Sequence, residues 1–209
     1  MHLLLTDRLS CPRCGPEFGL ILLAERMDDR RVVDGVLGCP NCRDSFPVRD
    51  GFGDLRAPPR GELAPGRAGD HGRQDPAATD RLAALLGVAQ GPGTLLLAGS
   101  PARHATGLAA RIEGVEVVAL DADTVRWPEA PGVSRMAARP GIPLFSRTLR
   151  GVAVDGTLGE RWLVEAARVV APLSRVVVQD APEGAEAVLA AAGLRVLACE
   201  AGTVVAARG

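Results

Sequence analysis

Four cysteines in two short pairs constrain this chain more than any other feature. Cys11-Pro12-Arg13-Cys14 and Cys39-Pro40-Asn41-Cys42 each set two thiols three positions apart. A thiolate pair at that spacing grips one edge of a tetrahedral metal, and two pairs close the shell at Zn–S distances of about 2.3 Å. Pro12 and Pro40 preset the turns, and Gly15 permits tight backbone after Cys14. With Cys11, Cys14, Cys39 and Cys42 as ligands the zinc is structural, because no coordination position stays open. Redox CxxC chemistry is the alternative, but it needs one pair beside a thioredoxin-like βαβ unit. Here two pairs bracket an expected β-hairpin, Phe18–Arg26 and Arg31–Leu37 around the polar turn Met27-Asp28-Asp29-Arg30. Metal binding is worth about 10–16 kcal/mol in zinc-finger peptides, which would supply folding energy that so small a region lacks.

Composition divides the 209 residues into three parts. Residues 1–56 carry the cysteine pairs. Residues 57–76, rich in Pro, Gly and charge without apolar periodicity, read as a linker. From residue 77 to 209, apolar strand runs alternate with helical patterns, which predicts an α/β fold with a mostly parallel sheet. Thr79 or Asp80 would cap a first helix carrying Leu82, Leu85 and Leu86. Strands are expected at Thr94–Ala98, Val115–Leu120, Val133–Ala137, Gly151–Val154, Arg175–Gln179, Arg195–Cys199 and Thr203–Ala207. Helices are expected at Ala102–Ile112, Gly159–Val170 and Gly184–Ala192. A net charge of −1 and scarce aromatics argue against a nucleic-acid binder. Every one of the 24 basic residues is arginine. No apolar run approaches membrane-spanning length and no signal-peptide core is visible, so no membrane partner and a cytoplasmic location are expected.

The segment CPRCG…GVLGCPNCRDSFPVRDG resembles the small zinc-ribbon family of the activator subunit of tRNA and release-factor methyltransferases. The match is carried by the cysteine pairs and by Phe46-Pro47-Val48-Arg49-Asp50-Gly51. Where family members continue with Ile-Pro, this chain has Phe52-Gly53. The resemblance implies a β-rich ribbon that packs on a methyltransferase. Phe46 and Val48 read as core, Arg49 and Asp50 as turn residues. The remainder resembles class I S-adenosylmethionine-dependent methyltransferases, through VVALDAD with Asp121, Ile142-Pro143-Leu144 before GVAVDG, WLVEAARVVAPLSRVVVQDAP, and LRVLACEAGTVVAARG. The implied fold is α/β, a Rossmann-like sheet with helices on both faces, joined to the small ribbon.

That family's first loop has an acid and then a Gly-x-Gly-x-Gly pattern, which lets backbone approach the cofactor at a helix start. Aligned on it, Leu97 stands at the acid, Gly99 at the first glycine, Pro101 at the second and Arg103 at the third. The Pro101 ring and the Arg103 stem are expected to fill the crevice. The same residues also read as an ordinary strand–helix junction, with Ser100 as N-cap and Pro101 at the first helical position. The resemblance implies Gly99, Asp121 and Arg103 as cofactor contacts, with Arg103 offering charge to an anion. Asp121 either holds ribose hydroxyls or caps the turn Asp121-Ala122-Asp123. Pro172-Leu173-Ser174 replaces a Pro-Gly-Gly turn, and the Asn/Asp-Pro-Pro-aromatic motif expected after GVAVD is absent, Asp155-Gly156-Thr157-Leu158 running straight towards a helix.

His104 is a candidate base, or a packing or solvent-facing histidine. His2 and His71 suggest nothing specific, Cys199 reads as a buried small hydrophobe, Trp162 as core, and Glu165 as a structural or surface residue. Two readings follow. In the first, a zinc ribbon is fused to a degenerate methyltransferase-like domain with no catalytic residue. The protein would then act as a scaffold or activator for another protein, a methyltransferase or translation-related partner. In the second, the chain is an active S-adenosylmethionine-dependent methyltransferase with an atypical loop.

Overall fold

The computed structural model describes residues 1–63 and 75–209; His71 and most of the expected linker lie outside them. The chain opens with a single helical turn, α1 (Leu3–Thr6), then β1 (Ser10–Cys11) and β2 (Gly15–Gly19). The hairpin β3 (Ile21–Asp28) and β4 (Arg31–Gly38) follows, then β5 (Ser45–Arg49) and β6 (Phe52–Arg56). The expected hairpin is therefore present. Phe18 belongs to β2 instead, because Leu20 ends that strand by donating to the Leu9 carbonyl.

The second part runs α2 (Pro76–Leu86), β7 (Gly93–Ala98), α3 (Ala105–Arg111), β8 (Val115–Leu120), β9 (Val133–Arg139), β10 (Leu149–Asp155), α4 (Glu160–Val169), β11 (Val170–Gln179), α5 (Ala185–Ala191), β12 (Arg195–Glu200) and β13 (Thr203–Ala207). Two caps differ from expectation. Asp75 caps α2, its carboxylate accepting from Ala77 N at 3.0 Å, with Pro76 in the first turn. Thr79 instead points inward, and its hydroxyl contacts the Asp75 carbonyl and His104 Nδ1. Residues 100–104 form a 3-10 turn before the shorter α3, and Gly99, not the Ser100 hydroxyl, stands at its start.

All but β1 and β2 join one sheet of eleven strands, ordered β12-β13-β11-β10-β7-β8-β9-β6-β5-β4-β3. The six strands from β11 to β6 are parallel, and antiparallel hairpins flank them on both sides. Residues 1–56 thus join the sheet of the second part: β6 pairs with β9 in parallel, Phe52 opposite Arg135 and Leu55 opposite Ala138. Pro172-Leu173-Ser174 keeps its turn character as a bulge in β11, where pairing with β10 jumps from Val170 to Arg175 and Leu173 takes φ +61°.

Alternating side chains feed two cores. On one face Leu96, Val118, Val154 and Val176 pack with Leu163, Ala166 and Val169 of α4, and the same core continues into the first part of the chain through Leu55, Val48, Phe46 and Leu37. On the other, Leu95, Leu97, Val117 and Val177 meet Leu82 and Leu86 of α2 and Leu108 of α3. Burying a side chain of this size contributes about 1.5–3 kcal/mol, so a core shared across residues 1–56 and the α/β part couples them strongly. Trp162 is half-buried against the first core. Cys199 is exposed, contrary to expectation, because β12 is an edge strand with almost no cover.

Candidate functional site

Local geometry alone defines the cysteine cluster. The four Sγ atoms lie within 4.8 Å of one another, with Cys11–Cys42 at 3.7 Å and Cys39–Cys14 at 3.8 Å. A tetrahedron with 2.3 Å metal–sulfur bonds has edges of about 3.8 Å. Those two edges match a tetrahedral metal, and all four sulfurs lie within 4.8 Å of one another, so the set can hold one. Amide and side-chain donors already face the sulfurs: Cys14 N donates to Cys11 Sγ at 3.4 Å, and Asn41 Nδ2 to Cys14 Sγ at 3.2 Å. Such contacts orient and tune thiolate ligands. The knuckle is tied to the α/β part, since Ser10 N donates to Pro143 O and Leu9 bridges to Leu144. Glu165 proves structural: it accepts from Ile142 N and from Arg168, while Arg168 also holds the Ile142 and Leu144 carbonyls.

The second candidate lies where parallel α/β sheets bind ligands, at the C-terminal strand ends where the chain reverses its strand order. That point falls between β7 and β10. Gly99 follows β7 and Asp155 ends β10, and they face each other. Asp155 Oδ2 accepts from Ser100 N at 3.3 Å, and Oδ1 accepts from Thr157 N at 2.9 Å and Thr157 Oγ1 at 2.6 Å. Burial alone would raise the Asp155 carboxyl, but these Thr157 and Ser100 bonds outweigh it and hold it below the usual carboxylate range. The chain's own carboxylate thus occupies a loop amide that could otherwise face a ligand's anion. Gly99 adopts φ +71°, and a Cβ there would stand 2.8 Å from Asp155 Cβ and 3.1 Å from Leu158 Cδ1. Asp155 and Leu158 therefore crowd the loop.

Beside this crowded point a cleft of about 310 Å³ remains. Gly99, Asp121, Ala137, Leu158 and Trp162 line it, and Arg56 at the end of β6 reaches its wall. Asp121 caps the turn after β8, Oδ1 accepting from Asp123 N at 2.8 Å, while also facing the cleft. The structure thus brings Gly99 and Asp121 together and separates Arg103 from them. Arg103 is exposed and lines a different cavity, and Pro101 is buried without lining the cleft. The crevice is narrowed by Asp155 and Leu158, not by the ring and guanidinium stem that the spacing suggested. Gly156–Leu158 form a single 3-10 turn after Asp155, and α4 begins two residues later at Glu160. His104 is buried, bonded through Nδ1 to Thr79 Oγ1 at 2.9 Å, and remote from the cleft lining. Burial, then the Arg103 charge, lower its affinity for a proton. His2 is also engaged: Nδ1 accepts from Leu4 N, and its backbone N–H donates to Ser134.

No protein-family model matches the chain, and no curated protein matches it in sequence. Among solved structures, a geranyl diphosphate methyltransferase in complex with SAM aligns over 70% of this chain and 93% of its own, at 14% identity and TM-score 0.53. The chain has a class I methyltransferase-like fold. Two further similarities are to the Haloferax volcanii Trm112 activator–methyltransferase complex (14% identity, 57% of this chain and 69% of that one, TM-score 0.45) and to a Geobacter metallireducens precorrin-6y C5,15-methyltransferase (14%, 64% and 87%, 0.47).

Proposed function

We propose that the chain is a zinc-ribbon/methyltransferase-fold fusion that does not catalyse methyl transfer and works in the cytoplasm as a scaffold or activator for a partner protein. Residues 1–56 would be the ribbon, 57–76 the linker and 77–209 the methyltransferase-like part. Zinc on Cys11, Cys14, Cys39 and Cys42 would hold the ribbon's knuckles in shape. The observation that carries the reading is the Asp155 carboxylate on Ser100 N, with Leu158 against Gly99. A cofactor's amino-acid carboxylate placed at this loop would meet an anion already there. Because β6 is used within the chain, a partner such as a methyltransferase or translation-related protein would have to engage a different surface. Calorimetric titration with S-adenosylmethionine, together with a labelled methyl-transfer assay on extract, tests the reading. No saturable heat and no transfer is the expected result, and turnover would overturn it.

One observation favours a second reading, an active S-adenosylmethionine-dependent methyltransferase: the open cleft between Gly99 and Asp121. Asp121 would then hold ribose hydroxyls, as an acid at the second strand's end does in dinucleotide folds. Saturable binding would raise stability by about 2.7 kcal/mol at a hundredfold excess over Kd.

A further inference from the structure

A second cavity, of about 260 Å³, lies between α3 and the segment that joins β8 to β9, apart from the Gly99 cleft. Arg103, Thr106, Trp127, Pro128, Val133 and Arg135 line it, with Glu129 alongside. Its charges are poorly matched. The Arg135 side chain is only 7% exposed and spends its donors on the carbonyls of Thr124, Trp127 and Asp50. Glu129 is the only carboxylate within ion-pair distance of it among the described residues, at 3.7 Å and 53% exposed. Arg103 has no carboxylate within ion-pair distance among the described residues, and its bond to His104 Nε2 is 3.4 Å long. A buried cation held mainly by dipoles lacks the counter-charge that usually accompanies burial.

We infer that this cavity binds a small organic carboxylate with an apolar, single-ring body. The carboxylate would pair with Arg103 and take the place of Glu129 on Arg135, while the body lies against Trp127, Pro128 and Val133. An inorganic anion would leave those walls unused. The volume falls just below the about 300–1,000 Å³ of sites for drug-sized ligands, which limits the body to about one ring. Arg103, which the loop pattern aimed at a cofactor, serves this cavity instead. The site is independent of whether the Gly99 cleft holds a cofactor.

The test is calorimetric titration of the full zinc-loaded chain with benzoate, with its uncharged analogue benzamide, and with inorganic phosphate. Benzoate should bind saturably, and benzamide and phosphate at least tenfold more weakly. Arg103→Gln, at an exposed position that leaves folding intact, should weaken benzoate at least tenfold. Glu129→Gln should strengthen it several-fold by removing the competing carboxylate. Absent benzoate binding overturns the inference. So does benzamide or phosphate binding equally well, or either variant matching the parent.

Discussion

Replacing Arg135 with methionine tests whether residues 1–56 and the α/β part are held as one body. The guanidinium crosses the seam from β9 to the Asp50 carbonyl in the β5–β6 turn, and it also holds Thr124 O and Trp127 O. Methionine keeps the length and apolar bulk but offers no donor. Asp50 is exposed, so water can replace the lost bond there. Thr124 O is buried but still accepts from Trp127 N at 3.2 Å, so the Trp127 carbonyl is the acceptor left without this donor. One stranded acceptor costs about 1–3 kcal/mol. Relief of the buried charge returns part of that. The expected loss is about 1.5 kcal/mol, a fall in Tm of about 3–6 °C for a chain of this size. Urea unfolding gives the loss, and amide exchange locates it: Phe52–Arg56 should lose protection before Leu95–Ala98 does. A loss below about 0.5 kcal/mol, or unchanged exchange in β6, would refute the reasoning.

Other consequences are equally direct. The chain should purify with one zinc per molecule by atomic absorption, and chelation or Cys39→Ser should raise amide exchange at Leu144 and Phe145, because the β1 knuckle is tied to Pro143 and Leu144. Gly99→Ala should destabilise by more than about 1 kcal/mol, through both its positive φ and the 2.8 Å approach to Asp155 Cβ. Asp155→Ala should not rescue it, since that Cβ remains, whereas Asp155→Gly should in part; thermal melts of the double variants decide. Because His104 binds its proton less readily when folded, the unfolded chain takes up more protons below its ordinary pKa of about 6.5. Stability should therefore be complete above that pH and fall below it, and His104→Gln should flatten the dependence of the urea midpoint between pH 7.5 and 5.5.

Elements with strong periodicity were legible in the sequence. Val115–Leu120 and Thr203–Ala207 match expectation residue for residue, and Leu163, Ala166 and Val169 line the buried face of α4. Spacing alone brought the four cysteines together. What spacing could not convey was contact between distant segments. Nothing local told that β6 would pair with β9, since a parallel partner leaves no turn signature. Asp155 was visible as the end of a strand, but its grip on Ser100 N depends on two strands lying side by side. Arg103 was assigned by its distance from Gly99 in a helix-start pattern, and the intervening 3-10 turn carried it elsewhere. Cys199 misled for a related reason: its apolar surroundings suit an interior strand, and only the sheet order shows β12 to be the outermost.

The pairing of Phe52 with Arg135 spans 83 positions of chain. A ribosome adding about 5–20 residues per second releases the first partner roughly 4–17 seconds before the second. Through that interval Phe52 and Leu55 lack the cover of β9, and the amides of β6 lack one row of acceptors. With a metal on Cys11, Cys14, Cys39 and Cys42, the early hairpins would be a holding state for the nascent polypeptide. They would keep Leu55 against Phe46 and Val48 until the strand that covers it has emerged.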